Sequence, residues 1–394
     1  MEWKEVDICQ LCDSVSETYK GNASEVVLIN TSDVLDGKCL NHEYVPNKKL
    51  KGQFKKTFRK GDILYSEIRP ANKRFCFVDF EPKDYIASTK LMVLRAHEDV
   101  DPQYLYQILR SNDTLTQLQM LAESRSGTFP QITYSELSNI MVSLPSQKAQ
   151  KNIVSILSSL DRKIELNNKI NADLEEMAQA IFKNWFVDFE PFKDGKFVDS
   201  ELGMIPEGWN VGSPYEYVKV VYGAPYKSAK FNANGEGLPL IRIRDLKDCN
   251  PQFYTPEILP QTEYVNMGDI VAGMDAEFVP HIWKGKMGLL NQRVCKLIPQ
   301  QTSISNLFVL YLMKPELEFV QSYKTGTTVS HLGKADIDKF VVVLPPLEVV
   351  EDCSKLLDSI LQRIKNISAE SRTLSLLRDT LLPRLMSGEL EVPE

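Results

Sequence analysis

The sequence predicts an α+β protein built as a tandem repeat, with each of two globular modules followed by a long helix. Three observations predict this architecture: two stretches carry a heptad pattern, four landmark motifs recur in the same order, and each repeat mixes β-branched runs with amphipathic helical segments. We expect the first module at 1–145, the first long helix at 146–186, a linker at 187–208, the second module at 209–345, and the second long helix with its tail at 346–394.

The first long helix is predicted because residues 146–186 contain no glycine and no internal proline. Residues that suit a coiled-coil seam recur there at steps of four and three, and two asparagines among them cost stability but can fix the register of a helix pair. The two predicted seams consist of Leu160, Ile164, Asn167, Asn171, Leu174, Ala178 and Ile181, and of Ile360, Ile364, Ile367, Ser371, Leu374, Arg378 and Leu381.

Four landmarks indicate an internal duplication with a period of about 200 residues. Their common order and spacing argue against coincidence among short motifs. The pairs are Trp3 with Trp209, 61–64 with 268–271, 127–132 with 326–332, and 144–145 with 344–345.

Local patterns predict the elements inside each module. Runs of β-branched residues at 26–29, 91–94 and 340–344 predict strands. Segments 101–121 and 305–323 predict amphipathic helices, although Pro315 is expected to interrupt the second. Glycines and prolines between residues 186 and 208 predict a loop rather than regular structure.

Composition excludes some classes of protein. No apolar run approaches the length of a membrane span, and the first ten residues lack the pattern of a signal peptide. Seven scattered cysteines argue against a disulfide framework, so we expect the cytoplasm. The net charge of −7 argues weakly against nucleic acid, but local clustering matters more for DNA than the total.

A search for catalytic motifs finds no convincing centre. Asp101-Pro102-Gln103-Tyr104 resembles the target-amine loop of amino-group DNA methyltransferases, but Gln103 stands where a second proline belongs. A helix N-terminus capped by Asp101, with Pro102 at its first position, explains the motif better. The sequence contains no P-loop for ATP and no glycine-rich loop for S-adenosylmethionine.

A zinc site is a weaker alternative. Cys9 and Cys12 have the spacing of one half of a Cys₃His site, and Cys39 and His42 have that of the other half. Buried structural thiols explain the same residues, so we predict no metal.

Basic clustering is the stronger signal. A short run that also holds Phe54 and Phe58 contains no acid, as expected of a phosphate-binding surface, whereas a solvated face is the alternative. In the second module, arginines occur near Asn291 and Gln292, and these residue types read guanine and adenine. The candidate DNA contacts are Lys48, Lys49, Lys51, Lys55, Lys56, Arg59, Lys60, Arg69, Lys73, Arg74, Arg125, Thr128 and Gln131, followed by Arg242, Arg244, Lys284, Lys286, Asn291, Gln292, Arg293, Lys324, Thr327 and His331.

Five segments carry a resemblance to the specificity subunits of type I restriction-modification systems. They are AIFKNWFVDFEP at 180–191, LGMIPEGW at 202–209, GDIVAGMD at 268–275, LNQRV at 290–294 and LLPRLMSGEL at 381–390. The resemblance covers essentially the whole chain. Two departures are an extra threonine in the second copy at 327–328 and Ala276, where the family usually has glycine.

The resemblance implies a recognition subunit without catalytic activity. Each module would be a target recognition domain that reads one half of a split DNA site. The helices would pack antiparallel, set the gap and dock two methyltransferase subunits. This chain would bind no cofactor: S-adenosylmethionine belongs to the methyltransferase partner, and ATP and Mg belong to a separate motor-nuclease subunit. A stand-alone DNA-binding scaffold and a fused methyltransferase are the alternatives, and the incomplete methyltransferase motif argues against the second.

Overall fold

The computed structural model describes residues 3–48, 52–124, 130–324 and 331–392. The chain forms two compact units. The first consists of Met1–Arg162 with Leu374–Glu394, and the second consists of Lys163–Thr373. Within the described residues, no helix has the length and apolar character that a membrane crossing requires.

The first module is α+β, as predicted. It contains two four-stranded sheets, ordered β2-β11-β8-β9 and β6-β3-β10-β7, and β1 pairs with β12. The elements are β1 (Lys4–Asp7), β2 (Cys12–Val15), β3 (Glu25–Ile29), β4 (Val34–Leu35), β5 (Lys38–Cys39), β6 (Val45–Pro46), β7 (Phe54–Lys56), β8 (Ile63–Ser66), β9 (Phe75–Phe77), β10 (Tyr85–Ser88), β11 (Leu91–Ala96), α1 (Pro102–Arg110), α2 (Asn112–Ser124), α3 (Tyr134–Ser138) and β12 (Met141–Leu144).

The second half of the chain repeats this plan after the first long helix. Its four-stranded sheets are ordered β16-β23-β20-β21 and β18-β17-β22-β19, and β15 pairs with β24. The elements are α4 (Gln147–Phe186), β13 (Phe197–Ser200), β14 (Gly203–Pro206), β15 (Asn210–Gly212), β16 (Val218–Tyr222), β17 (Leu238–Ile241), β18 (Tyr254–Thr255), β19 (Tyr264–Val265), β20 (Ile270–Gly273), β21 (Pro280–Ile282), β22 (Gly288–Leu290), β23 (Val294–Pro299), α5 (Asn306–Lys324), α6 (Lys334–Ile337), β24 (Val342–Leu344) and α7 (Leu347–Met386).

Strand pairing confirms the duplication. β3 runs parallel to β10, and β17 runs parallel to β22, while the flanking strands are antiparallel in both modules. Lys4 pairs with Leu144 as Asn210 pairs with Leu344, so Trp3 and Trp209 occupy the same place in their modules. The landmark motifs therefore mark corresponding positions of one repeated topology.

The central strand of each module is buried on both faces. Ile63 of β8 packs in the cluster that includes α1, whereas the adjacent Leu64 packs with β3, because successive side chains of a strand point to opposite faces. Ile270 and Val271 of β20 divide in the same way between two clusters.

The two long helices contact each other within the second unit. Each has 40 residues and is therefore about 60 Å long at about 1.5 Å per residue. In the second unit, Asn167 donates a hydrogen bond to Glu370 (2.9 Å), and Asn171 donates one to Ser368 (3.0 Å). All fourteen seam positions are buried or half-buried.

Two helix predictions need correction. Segment 101–121 forms two helices rather than one, because Ser111 has an extended backbone and its hydroxyl caps α2 by accepting from Thr114 N (3.2 Å). Pro315 lies inside the continuous helix α5 and does not interrupt it. The buried neighbours Met313 and Leu317 hold that helix against the sheet, so packing outweighs the lost hydrogen bond.

The segment after α4 was predicted to be a loop, and that prediction is wrong. β13 and β14 form an antiparallel hairpin. Phe189 and Phe192 pack edge-on against Trp209, with ring centroids 5.4 and 5.1 Å apart. Aromatic burial thus orders a segment whose glycines and prolines indicate a loop.

The C-terminal end of α7 and the residues after it pack on the first module. Leu382, Leu385 and Val392 are buried in the same cluster as Ile8. Gly388 has φ +76°, and a Cβ at that position would lie 2.5 Å from Trp3 Nε1. Residues 381–390 therefore include side chains that are buried inside the first unit.

Candidate nucleic-acid interface

Several loops converge where the central strands of the first module end. Because β3 and β10 are parallel, residues 30–32 and 89–90 leave the sheet at the same edge. Glu67 N donates to Lys90 O (3.1 Å), which brings the loop after β8 to that edge. Arg69 N donates to Pro130 O (3.0 Å) and adds a fourth segment. We call residues 30–32, 67–74, 89–90 and 130–131 the first strand-end surface.

The second module builds the same surface from corresponding segments. The parallel strands β17 and β22 deliver residues 242–244 and 291–293 to one edge. Met274 N donates to Arg293 O (2.9 Å), and Leu332 N donates to Met274 O (2.7 Å). The backbone of Asp275 forms an isolated antiparallel β-bridge with His331, as Ile68 does with Gln131 in the first module. Residues 242–244, 274–279, 291–293 and 331–332 form the second strand-end surface.

The loop after β8 has an unusual backbone. Arg69 and Lys73 both lie in the left-handed region, with φ of +46° and +51°, and both side chains are exposed. Pro70 between them is buried. Left-handed conformations in residues other than glycine persist only where the surroundings enforce them, and they cluster at functional sites. This loop therefore presents two cations from an enforced conformation.

The second strand-end surface holds a carboxylate between an arginine and a histidine. Asp275 pairs with Arg293, and its Oδ1 lies 2.7 Å from His331 Nδ1. Burial raises the pKa of the Asp275 carboxyl, but the hydrogen bonds from His331 and Arg293 outweigh burial, so the pKa is lower than usual. The next residue, Ala276, is left-handed at φ +61°.

The candidate cations differ in whether their side chains already form a hydrogen bond or an ion pair within the folded chain. Lys56 donates to Leu91 O (2.8 Å), and Lys284 pairs with Glu175 of α4 (2.8 Å). Arg74, Arg242, Arg293 and Lys324 bond to Ser32 O, Asp245, Asp275 and Asp336, respectively. Within the described ranges, the exposed side chains of Lys48, Lys55, Arg59, Lys60, Arg69, Lys73, Arg244 and Lys286 make neither an ion pair nor a hydrogen bond.

The structure does not bring all candidates to one surface. Lys48 follows β6 beside the start of β3, and Arg59 and Lys60 precede β8, so these three lie at the opposite end of their sheets. Lys284 and Lys286 likewise lie beside the start of β20. Lys55 lies on β7 between the two ends. Lys49, Lys51, Arg125, Thr128 and Thr327 fall outside the described residues.

The amide side chains have different surroundings. Asn291 is buried, and its Oδ1 accepts from Arg293 N (3.2 Å), so it shapes the turn. Gln292 is exposed on the second strand-end surface, and Gln131 is half-buried on the first.

Sequence reasoning missed Lys90 and Asp275. Lys90 is half-exposed, pairs with Glu67 at 3.7 Å, and occupies the position that Arg293 has in the second module. Alignment of the two repeats at their central strands could have identified Lys90, because its counterpart was already a candidate.

The catalytic and metal alternatives meet ordinary structural explanations. Asp101 caps α1 by accepting from Gln103 N (2.9 Å) and Tyr104 N (3.2 Å), as predicted. Cys12 and Cys39 belong to different apolar clusters, and His42 Nδ1 bonds to the Tyr85 hydroxyl (2.9 Å). In the described part of the chain, no group of three or more histidine, cysteine or acidic residues is arranged to hold a metal ion.

Comparisons with known proteins identify similar chains. A family model described as the type I restriction modification DNA specificity domain matches residues 2–176 and 206–374. The type I restriction enzyme HindI specificity subunit of Haemophilus influenzae is 31% identical over 460 residues, covering 99% of this chain and 100% of that protein. The MjaIX specificity subunit of Methanocaldococcus jannaschii is 27% identical over 384 residues, covering 90% and 85%.

A solved structure also matches across the chain. The type I restriction-modification S subunit from M. genitalium has a TM-score of 0.53 at 14% identity, covering 98% of this chain and 96% of that one. At that identity, the likeness supports the fold alone.

Proposed function

This chain belongs to the family of type I restriction-modification DNA specificity proteins, and on that premise we propose that it reads a two-part DNA site, one half with each module. Members of this family are recognition subunits without catalytic activity. The reading of two half-sites follows from the duplication of one topology, because each copy carries its own strand-end surface.

One observation carries the proposal: the same surface occurs twice, and exposed cations remain available on it. Arg69 and Lys73 extend from the first strand-end surface and Arg244 from the second, without intramolecular partners among the described residues. Unpaired Lys and Arg side chains supply most of the affinity of proteins for DNA phosphates, and Arg also reads guanine. We leave Lys48, Arg59, Lys60, Lys284 and Lys286 out of the proposed interface because they lie at the opposite ends of the sheets.

We further propose that α4 and α7 form an antiparallel coiled coil that sets the gap between the half-sites. Two hydrogen bonds support this arrangement, because the partners of Asn167 and Asn171 run backwards along α7, at Glu370 and Ser368. A paired helix resists bending more than a single helix and therefore suits a spacer.

The expected partners are two methyltransferase subunits and, in the full complex, a motor-nuclease. Exposed apolar side chains on the long helices support docking there, since such groups gain from burial by a partner. They are Leu166 and Met177 on α4 and Leu356, Leu376 and Leu377 on α7. Since chromosomal DNA is the proposed substrate, we place the complex in the cytoplasm.

The deciding experiment is to co-express this chain with the methyltransferase subunit encoded beside it and to map methylated adenines across the host genome. We expect a two-part motif with a fixed gap that appears only when this chain is present. A folded complex without new methylation would contradict the proposal and favour a DNA-binding scaffold.

Replacing Arg69 with alanine tests the placement of the interface. We expect weaker binding to DNA through the first half-site alone, by ~1–3 kcal/mol if Arg69 reads a base. The Arg59→Ala variant is the matched control, because Arg59 is also exposed and unpaired but lies at the opposite end of β8. Equal losses in both variants, measured on duplexes with either half-site scrambled, would argue against the strand-end surface.

A further inference from the structure

Both strand-end surfaces depend on a glutamine that no base-reading argument requires. In the first module, Gln119 of α2 accepts a hydrogen bond through Oε1 from Ala71 N (3.1 Å), in the loop after β8. In the second module, Gln321 of α5 accepts one through Oε1 from Phe278 N (2.8 Å), in the loop after β20. We propose that Gln119 and Gln321 are positioning residues that hold these loops in the conformation that reads DNA.

The two loops share the features that make such a restraint necessary. Each contains a left-handed residue other than glycine, Arg69 or Ala276, and each has a buried anchor close behind it, Pro70 or Phe278. A left-handed residue of this kind costs of order 1–3 kcal/mol and needs surroundings that enforce it. In both modules the glutamine fixes the backbone two residues beyond the strained position, where the chain would otherwise relax.

The two glutamines do not occupy corresponding positions of the repeats. Gln131 and His331 mark corresponding positions of the repeats, and the same offset carries Gln119 to Phe319 rather than to Gln321. The two hydrogen bonds therefore start from helix positions that do not correspond, but they end at the same loop position, because the offset that relates Ile68 to Asp275 carries Ala71 to Phe278. Two modules with diverged loops have kept the same type of restraint, which points to a shared requirement of the reading surface.

Gln119 is itself held in place. Its Nε2 donates to Glu123 Oε1 (2.7 Å), one helical turn further along α2. This bond leaves Oε1 directed at the loop, since an amide has one oxygen acceptor and one nitrogen donor group. The arrangement also permits an exchange of the two side chains that preserves both bonds.

The test uses the full chain in complex with its methyltransferase subunit and DNA duplexes that carry the mapped two-part site. The Gln119→Met variant keeps the side-chain length but loses the acceptor. We expect affinity through the first half-site to fall about tenfold, as for one hydrogen bond of ordinary strength, with discrimination at the second half-site unchanged. The double variant Q119E/E123Q restores an acceptor at 119 and a donor at 123, so it should recover most of that loss. Gln117→Met, on an exposed position of the same helix, is the control and should have no effect.

This inference rests on the proposed function, and the outcomes separate the two. If Arg69→Ala weakens the first half-site but Gln119→Met does not, the positioning role is wrong and the interface stands. If neither variant changes binding, the strand-end surface itself is wrong. If Gln119→Met weakens both half-sites equally, the glutamine supports the fold rather than the reading loop, and the inference is overturned.

Discussion

At the residue scale, the second strand-end surface contains an alanine in a conformation that suits glycine. Ala276 has φ +61°, where a Cβ crowds the following carbonyl. The preceding carboxylate, Asp275, holds Arg293 and His331 on either side, so the turn keeps its conformation despite the strain.

Replacing Ala276 with glycine should therefore raise the free energy of unfolding of the second unit by about 1 kcal/mol. Urea unfolding followed by tryptophan fluorescence would measure the change, because Trp209 and Trp283 both lie in that unit. The control is Ala233→Gly, at an exposed residue that is not left-handed, which should lower stability slightly or leave it unchanged. A gain no larger than that of the control would contradict the strain argument.

Asp275 should also make the free energy of unfolding of the second unit depend on pH in the acid range. Its pKa is lower in the folded state than in the unfolded chain, so the ionised carboxylate favours folding above the unfolded value of about 3.9, and this contribution is lost as pH falls through the lower folded value. We expect the Asp275→Asn variant to be less stable than the parent near neutral pH and to approach it in acid. Urea unfolding at pH 7 and near pH 3 would show the convergence, and a stability difference independent of pH would count against this explanation.

At the element scale, the long helices follow from pattern, but their partners follow from packing. Asn167 and Asn171 are nearly fully buried in the seam, and each has an amide oxygen without a hydrogen-bond partner among the described residues. Buried amides of this kind cost stability and disfavour other registers. In the proposed coiled coil, the pairing of Asn171 with Ser368 would therefore specify one alignment of α4 on α7.

If the paired helices set the gap, inserting four residues of helix into α4 should lengthen the unread segment of the DNA site. Four residues add about 6 Å of helix. The duplex has one phosphate charge per about 1.7 Å, or about 3.4 Å per base pair, so the added helix is close to the length of two base pairs. Adenine methylation mapping would report the new gap. A control that replaces four exposed α4 residues without changing the length should keep the original gap, and an unchanged gap in the insertion variant would refute the spacer role.

At the scale of the whole molecule, the first unit takes its residues from both ends of the chain. Trp3 lies against Gly388, and Leu385 and Val392 share a core with Ile8. The hairpin turn between β13 and β14, at Glu201 and Leu202, is exposed and lies inside the second unit. Described residues near the start and the end of the sequence thus lie close together, and the exposed turn is a place at which new ends are tolerable.

A circular permutant that joins residue 394 to residue 1 by a short flexible linker and opens between Glu201 and Leu202 should fold and retain two-part recognition. Methylation mapping and thermal unfolding would test this expectation. A second permutant opened inside β20, a buried strand, is the control that should fail to fold. Failure of the first permutant to fold would contradict the closed arrangement of the first unit.

The sequence by itself determined the duplication and the two long helices, because repeated motifs and an unbroken helical pattern are properties of the chain read in order. It also predicted Arg69, Lys73 and Arg244 as candidate DNA contacts. Only the tertiary structure decided which candidates share a surface. The basic run from Lys48 to Lys60 looked like one patch, but its described members are spread across a sheet from one edge strand to the other. Lys48, Arg59 and Lys60 lie at the end of the sheets opposite the first strand-end surface. Residues distant in sequence meet at the strand ends because parallel strands deliver their following loops to one edge, a relationship that depends on strand pairing and that neighbours along the chain do not reveal.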